Sequence, residues 1–169
     1  MGIVGYGRIG QAVGRMAQAF GMKILATSRT KKNVPEGVRF TDFETVLKES
    51  DVISFHCPLT AENTEMINRE SIKKMKDGVI VLNTARGQLI NEEALAEALR
   101  AGKVCAAGLD VVSEEPAKRG NPLFSAPNCI ITPHIAWASK ESRERLMNTA
   151  VDNLKCFLAG KPVNVVNGV

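Results

Sequence analysis

The sequence predicts an α/β fold in which a doubly wound parallel sheet carries helices on both faces. Three observations lead to this prediction: strand and helix patterns alternate along the 169 residues, a Gly-x-Gly-x-x-Gly turn at Gly5–Gly10 joins the first strand to the first helix, and Val79–Leu82 is a continuous apolar run. Such a run is typical of a strand that is buried on both faces. Because helices connect parallel strands right-handedly, the alternation indicates a sheet of about six or seven strands.

The individual elements are predicted from hydrophobic spacing and from capping residues. The first helix ends at Gly21, and its apolar residues recur at the spacing of an amphipathic helix: Ile9, Val13, Met16, Ala17 and Phe20. Later helices are predicted to begin after the capping residues Asp42, Asn68, Asn91 and Ser139. Four methionines are expected to fill the core, namely Met16, Met66, Met75 and Met147. The predicted strands cover residues 2–5, 23–27, 38–40, 52–55, 79–82, 104–109 and 129–132.

Composition places the chain among ordinary globular proteins. Hydrophobic residues make up 44% and charged residues 24%, the net charge is +4, and no apolar run reaches the length of a membrane span. The first residues lack a basic segment followed by an apolar stretch and a cleavage site, so we expect no secretion signal. The four cysteines are scattered without a CxxC pair, which favours a reducing cytoplasm over a metal site or a disulfide framework. The basic clusters Arg29–Lys32 and Lys73–Lys76 lack interleaved aromatic residues, so we expect no nucleic-acid partner.

The glycine turn indicates a dinucleotide-binding site in a Rossmann fold. Gly5 allows the tight turn out of the strand, Gly7 lets the backbone approach a pyrophosphate, and Gly10 lets the helix pack close to the strand. The N-terminus of that helix offers N–H groups and the positive end of its dipole to the phosphates. A purely structural glycine turn is the alternative, and the strand–turn–helix context favours nucleotide binding.

Polar side chains that follow the predicted strands should converge at one edge of the sheet, because ligands bind outside the carboxyl ends of parallel strands. An arginine, carboxylates and a histidine together can reduce a ketone that bears a carboxylate. The arginine would bind the carboxylate bidentately, and the histidine would give a proton to the developing alkoxide. A carboxylate beside the imidazole would orient it and favour its charged form. The edge residues are Ser28, Arg29, His56, Thr84, Arg86, Asp110, Glu114, Glu115, Thr132 and His134.

Each candidate also has a simpler interpretation. Arg86 could be a surface arginine at a strand end, and His134 could be a hydrogen-bonded loop histidine. Glu115 could cap a loop, a role that Glu114 beside it could share. His56 could only seal the end of its strand near an adenosine. Position on the ligand edge between Thr84 and Gly87 favours function for Arg86, and position alone leaves Glu115, His134 and His56 open.

Several motifs follow one another along nearly the whole chain: Gly5-Tyr-Gly-Arg-Ile-Gly10, His56-Cys-Pro-Leu-Thr60, Asn83-Thr-Ala-Arg-Gly87, Gly108-Leu-Asp-Val111, Glu114-Glu-Pro116 and Pro133-His-Ile-Ala136. Their content and order resemble the D-isomer-specific 2-hydroxyacid dehydrogenases, and residues 134–137 look most like the glycerate dehydrogenase (hydroxypyruvate reductase) branch. The resemblance implies that Arg86 binds the substrate carboxylate, that Glu115 supports His134, and that His134 is the acid/base. It also implies that Asp110 holds the nicotinamide carboxamide.

The edge positions and the resemblance together predict the site of a nicotinamide dinucleotide. The predicted cofactor-binding residues are Gly5, Gly7, Arg8, Ile9, Gly10, Ser28, Arg29, Thr30, His56, Cys57, Pro58, Thr64, Thr84, Ala85, Arg86, Asp110, His134 and Ala136. No metal site is predicted.

The resemblance also bears on domain organisation. Family members carry a substrate-binding domain built mainly from residues before the glycine motif, and this sequence starts at that motif. We therefore expect a dinucleotide-binding domain over residues 1–138, a C-terminal helix and tail over 139–169 that would return to the substrate domain, and poor activity of this chain alone. The full-length form is expected to be a homodimer that acts on a 2-keto acid or 2-hydroxy acid of the hydroxypyruvate or glyoxylate class. An NAD(P)-sensing interaction module of the corepressor type stays open as the alternative.

Cofactor choice is predicted from the residues after the second strand. Domains that prefer NAD place Asp or Glu about 20 residues after the glycine motif, where it accepts from the ribose 2′-OH. Here Ser28 is followed by Arg29 and Thr30, and no acid occurs through Lys32. Ser28 and Thr30 could donate to a 2′-phosphate, and Arg29 could pair with it. A solvated basic loop is the alternative, so the sequence favours NADP and leaves NAD open.

Overall fold

The computed structural model describes residues 1–29 and 35–167, which form a seven-stranded parallel sheet with helical connections. The strands are β1 (Gly2–Val4), β2 (Ile24–Thr27), β3 (Val38–Phe40), β4 (Val52–Phe55), β5 (Val79–Asn83), β6 (Val104–Leu109) and β7 (Cys129–Ile131). The α-helices are α1 (Arg8–Ala19), α2 (Phe43–Glu49), α3 (Arg69–Lys74), α4 (Glu92–Arg100) and α5 (Lys140–Leu158). The strand order is β3-β2-β1-β4-β5-β6-β7. The predicted doubly wound sheet is confirmed.

The strand order reverses direction at β1, which lies between β2 and β4. Val4 pairs in register with Thr27 on one side and with Phe55 on the other. In open α/β sheets, ligands bind at such a switch point, beyond the carboxyl ends of the strands. The residues that come next along the chain, among them Gly5 and His56, therefore lie at the ligand edge.

The predicted capping residues begin their helices as expected. Asp42 accepts a hydrogen bond from the Thr45 N–H at 2.8 Å, before α2. Asn91 accepts one from the Ala94 N–H at 2.9 Å, before α4. Asn68 and Ser139 cap α3 and α5 in the same way. Each side-chain oxygen satisfies an N–H group that has no partner inside its helix.

The buried face of α1 differs from the predicted apolar face. Its buried residues are small, namely Gly10, Gly14 and Ala17. Three of its larger apolar residues are exposed: Ile9 (64%), Met16 (57%) and, at its C-terminal cap, Phe20 (85%). A Cβ on Gly10 would lie 2.3 Å from the Gly5 carbonyl oxygen, so α1 lies too close to β1 for larger side chains on this face. Of the predicted apolar residues, Ala17 is buried and Val13 packs against the core, so the hydrophobic spacing identifies the buried face of α1 only in part.

The predicted role of the methionines is confirmed for only part of the set. Met75 is buried in the core, and Met66 is half-buried against it. Met16 and Met147 are exposed, so the prediction of core positions for these two is wrong.

The chain divides into two compact units, Met1–Pro133 and His134–Val169. The first unit contains the sheet and helices α1 to α4, and the second contains α5. Within the described residues, none of the helices combines the length and the apolar character that spanning a membrane requires.

Candidate functional site

The turn after β1 leaves open space above the start of α1. Gly5 has a φ of +94°, in the left-handed region that favours glycine, and a Cβ there would lie 2.5 Å from the backbone nitrogen of Cys57. Gly7 is the N-cap of α1, and a Cβ on it would meet no heavy atom of the described residues within 4 Å. Arg8 and Ile9 are exposed in the first turn of α1. The close approach of an anionic group to the Gly7 backbone is therefore sterically possible.

A cavity of about 290 Å³ lies beside this turn, at the carboxyl ends of β1, β2 and β4. Its lining includes seven of the predicted cofactor-binding residues: Gly5, Gly7, Ser28, Arg29, His56, Cys57 and Pro58. The remaining described lining residues were not predicted, and they are Val4, Thr27, Phe43, Asn63 and Met66. Thr30, which was also predicted, lies outside the described residues. We call this space the glycine-turn cavity.

A larger cavity, of about 910 Å³, lies at the opposite edge of the sheet. It is lined by residues at the starts of the strands, such as Ile24, Val38 and Val52. None of the predicted site residues occurs among its described lining residues. Ligands of parallel sheets bind at the carboxyl edge, so the smaller glycine-turn cavity is the candidate cofactor site.

His56 forms part of the wall of the glycine-turn cavity. Its Nε2 lies 2.9 Å from the Ser54 hydroxyl oxygen. Burial lowers the pKa of His56, so the ring is neutral at pH 7 and the Ser54 hydroxyl can donate to an unprotonated Nε2. A neutral His56 adds no positive charge to the cavity, and Arg29 is the cation among the described residues that line it.

Asn63 fixes the turn that follows β4. Its side-chain oxygen accepts a hydrogen bond from the Thr60 N–H at 2.7 Å, and its Nδ2 donates to the Pro58 carbonyl at 2.8 Å. Thr64 Oγ1 donates to the Thr60 carbonyl at 3.0 Å. Burial raises the pKa of the neighbouring Cys57 thiol, which stays protonated. Pro58 and Thr64 thus belong to one hydrogen-bonded turn. The capping-box spacing Thr60-x-x-Asn63 is the signal that could have identified Asn63.

Asn83 shapes the turn that carries Arg86. The Asn83 side chain is fully buried, its oxygen accepts from the Ala85 N–H at 2.9 Å, and its Nδ2 donates to the Arg86 carbonyl at 2.8 Å. These bonds hold residues 83–86 in a tight turn at the end of β5. Arg86 is exposed, and its Nη1 donates to the Ala85 carbonyl at 2.6 Å. Thr84 is also exposed in this turn. The guanidinium is therefore presented at the ligand edge.

Two predicted carboxylates follow β6 and differ in environment. Asp110 is only 5% exposed, and its Oδ1 accepts a hydrogen bond from Thr132 Oγ1 at 2.5 Å. Glu115 is exposed, and its Oε1 lies 3.3 Å from the Val112 nitrogen, which donates to it. Thr132 was predicted at the ligand edge, and its contact with Asp110 was not predicted. Burial and this hydrogen bond restrict the orientation of the Asp110 carboxylate.

His134 opens the second unit and has a constrained backbone. Its φ is +53°, which is uncommon for a residue other than glycine. The indole Nε1 of Trp137 donates to the His134 carbonyl at 2.9 Å, and the Ala138 N–H donates to the Ile135 carbonyl at 2.9 Å. The His134 side chain is exposed, and Ala136 lies within the same turn. The Trp137 side chain therefore fixes the turn that carries the imidazole.

The arrangement within Met1–Pro133 supports binding of an anionic nucleotide and of a carboxylate. The glycine turn offers backbone N–H groups, and Arg29 offers a positive charge at the glycine-turn cavity. Arg86 offers a planar donor pair for a carboxylate. His134 belongs to the second unit, and histidine is a residue type that commonly acts as a general acid or base.

The chain is similar to several known proteins. Residues 1–136 match the family described as D-isomer specific 2-hydroxyacid dehydrogenase, NAD binding domain. A hydroxypyruvate reductase of Blautia hydrogenotrophica is 60% identical over 169 residues, which are 99% of this chain and 52% of the relative. A solved acyclic imino acid reductase in complex with NADPH and D-Arg has a TM-score of 0.89 at 37% identity, covering 98% of this chain and 52% of that one.

A second solved structure is similar to the same extent. The D-lactate dehydrogenase of Lactobacillus jensenii, solved with NAD⁺, has a TM-score of 0.89 at 32% identity, covering 99% of this chain and 55% of that one. The chain therefore spans about half the length of the relatives it matches.

Proposed function

Because the chain belongs to the D-isomer-specific 2-hydroxyacid dehydrogenases, as their NAD-binding domain, we propose that it is the cofactor-binding part of an NAD(P)-dependent oxidoreductase. The proposed reaction interconverts a small 2-keto acid and the corresponding D-2-hydroxy acid. One observation carries the proposal: the glycine-turn cavity and the Arg86 turn follow β1, β2, β4 and β5 at the same edge of one parallel sheet. Such an edge can hold a dinucleotide beside a keto acid.

The proposed roles follow from the chemistry of each side chain. The residues of the glycine turn and its cavity hold the dinucleotide, whose nicotinamide supplies the hydride when bound. Arg86 binds the substrate carboxylate through two parallel N–H groups, and Asp110 holds the carboxamide. His134 gives a proton to the developing alkoxide oxygen. Glu115 orients the His134 ring, and its negative charge favours the imidazolium form.

The proposed substrate class is hydroxypyruvate or glyoxylate. The identity of 60% to a hydroxypyruvate reductase supports this class, as does the resemblance of residues 134–137 to the same branch. We further propose that residues 1–138 act as the dinucleotide-binding domain and that residues 139–169 return to a substrate domain. The complete enzyme is proposed to be a homodimer.

We propose that NADP is the preferred cofactor. The positions of Ser28 and Arg29 in the lining of the glycine-turn cavity support this choice, since a serine donor and a guanidinium suit a 2′-phosphate. The similar structures solved with NADPH and with NAD⁺ are compatible with either cofactor. Titration of the chain with NADPH and NADH tests the choice, and Ser28→Asp and Arg29→Ala should each weaken NADPH binding relative to NADH. Tighter NADH binding by the unaltered chain would overturn the preference.

The role of Arg86 is tested by Arg86→Lys in the complete enzyme. Lysine keeps the charge but cannot offer the planar donor pair. The variant should lose about 1.5–3 kcal/mol of transition-state stabilisation, seen as a lower kcat/KM for hydroxypyruvate with unchanged NADPH affinity. Steady-state kinetics with the unaltered enzyme as reference measures the effect. An unchanged kcat/KM removes Arg86 from its proposed role, and no turnover by the unaltered enzyme overturns the proposed function.

A further inference from the structure

We propose that Glu92 is a positioning residue that fixes the loop carrying Glu115 against the turn carrying Arg86. This inference rests on the proposed function, in which Arg86 and Glu115 act on substrate and on His134. Glu92 is the first residue of α4, and its side chain is half-buried. It was not among the residues singled out from the sequence.

The Glu92 carboxylate accepts three hydrogen bonds from the loop after β6. Its Oε1 accepts from the Ser113 N–H at 2.7 Å, and its Oε2 accepts from the Ser113 hydroxyl at 2.8 Å. Its Oε2 also accepts from Asn121 Nδ2 at 2.9 Å. Ser113 and Asn121 lie on either side of Glu115 in the sequence. One carboxylate thus ties both ends of the segment that carries Glu115.

The same loop is packed against the Arg86 turn through the backbone. A Cβ on Gly87 would lie 1.9 Å from the carbonyl carbon of Val112, so the two backbone segments are too close for any residue larger than glycine at position 87. Gln88 Nε2 donates to the Ser113 carbonyl at 2.8 Å. The Val112 N–H in turn donates to Glu115 Oε1 at 3.3 Å. Gly87 and Gln88, which directly follow Arg86, therefore fix the residues that precede Glu115.

A purely helix-stabilising role does not account for these contacts. The N-terminus of α4 is already capped by Asn91, whose side chain accepts from the Ala94 N–H at 2.9 Å. Both Glu92 and Glu93 lie in the first turn and favour the helix through their charge. The Glu92 carboxylate is hydrogen-bonded to the loop, whereas Glu93 is exposed. Glu93 is therefore the matched control for charge and helix position.

Hydrogen exchange tests the structural half of the inference independently of activity. In Glu92→Gln the side chain has one oxygen where the carboxylate has two, so at least one loop donor loses its acceptor. The hydrogen-bonded amides of Val112, Ser113 and Asn121 should exchange about tenfold faster, whereas Glu93→Gln should leave them unchanged. Ser113→Ala, a milder change that removes one donor, should shift exchange in the same direction. Equal exchange in Glu92→Gln and the unaltered chain would overturn the inference.

The pH profile of hydroxypyruvate reduction by the complete enzyme tests the functional half. Glu115→Gln should move the alkaline limb of the pH–rate profile to lower pH, because the imidazolium form would lose the proposed neighbouring negative charge. Glu92→Gln should move the limb in the same direction by a smaller amount and lower kcat about 10- to 100-fold, with unchanged NADPH affinity. Loss of stability alone would reduce the active fraction without moving the limb.

The outcomes separate this inference from the proposed function. If Glu115→Gln moves the limb and Glu92→Gln does not, the role of Glu92 is overturned while the proposed function stands. If Glu115→Gln leaves the limb in place, the proposed pairing of Glu115 with His134 fails, and the role of Glu92 fails with it. Glu93→Gln should retain the profile of the unaltered enzyme in every case.

Discussion

The two compact units differ in how they dispose of their apolar side chains. In Met1–Pro133, central residues such as Phe55 and Leu95 are fully buried in a continuous core. In His134–Val169, the 19-residue helix α5 contains no buried residue, and the structure describes all of it. An exposed apolar face of this kind is typical of a surface that contacts another part of a protein. The glycine-turn cavity, which is the candidate cofactor site, thus lies in the unit that has the buried core, and His134 lies in the other unit.

The largest expected effect concerns the group that the second unit contributes. His134→Gln in the complete enzyme should lower kcat for hydroxypyruvate reduction about 100- to 10,000-fold, because a positioned proton donor is lost. NADPH affinity should stay close to that of the unaltered enzyme, since the glycine-turn cavity lies in the first unit. Turnover assays and a cofactor titration on the same preparation measure both quantities. A variant that loses NADPH binding together with turnover would contradict this division of roles.

A matched pair of leucine substitutions tests the difference in burial. Leu95→Ala should destabilise this chain by about 2–5 kcal/mol, because Leu95 is fully buried in α4 and its removal leaves a cavity. Leu154→Ala in α5 should change the free energy of unfolding by about 0.5 kcal/mol or less, because Leu154 is 59% exposed. Urea unfolding of each variant gives the comparison. Similar losses from the two substitutions would show that α5 is as well packed as α4.

A pair of glycine substitutions separates the fold from cofactor binding within the first unit. Gly5→Ala should destabilise the chain by about 1–3 kcal/mol, since its φ of +94° and the nearby Cys57 backbone both disfavour a Cβ. Gly7→Ala should leave the free energy of unfolding nearly unchanged and weaken NADPH binding, because its Cβ would point into the space proposed for the pyrophosphate. Thermal unfolding and NADPH titration distinguish the two effects. Unweakened NADPH binding by Gly7→Ala would place the cofactor elsewhere.

The smallest expected effect is a pH dependence of the first unit's stability. Burial lowers the pKa of His56 in the folded chain, so the unfolded chain binds a proton first as pH falls below about 6.5. The folded state should therefore lose stability between pH 7 and pH 5 through this group. His56→Gln should lose less stability over the same interval. Denaturation at several pH values measures the difference, and parallel curves for the two proteins would rule out this contribution.

Features set by local sequence were predictable, whereas features set by distant contacts were not. The cap at Asn91 and the apolar strand β5 were predicted because each depends on a few neighbouring residues. The contact between Asp110 and Thr132 joins residues 22 positions apart, and the bonds from Ser113 to Glu92 span 21. Hydrophobic spacing and capping rules carry no information about such pairs.

The orientation of α1 shows a different limit of sequence-based prediction. Its large apolar residues suggested a buried face, yet the helix packs on β1 through glycine and alanine. The requirement for small residues comes from the close approach at Gly10, which the glycine motif already indicated. The role of Gly10 was therefore predicted, whereas the resulting exposure of Ile9 and Met16 was not.

Calorimetric titration of this 169-residue chain with NADPH tests most directly whether the first unit, Met1–Pro133, holds the cofactor without His134. The account predicts saturable binding of one NADPH per chain, with the same affinity in His134→Gln as in the unaltered protein. A folded chain that shows no saturable binding, or a His134→Gln variant that has lost it, would contradict the central claim.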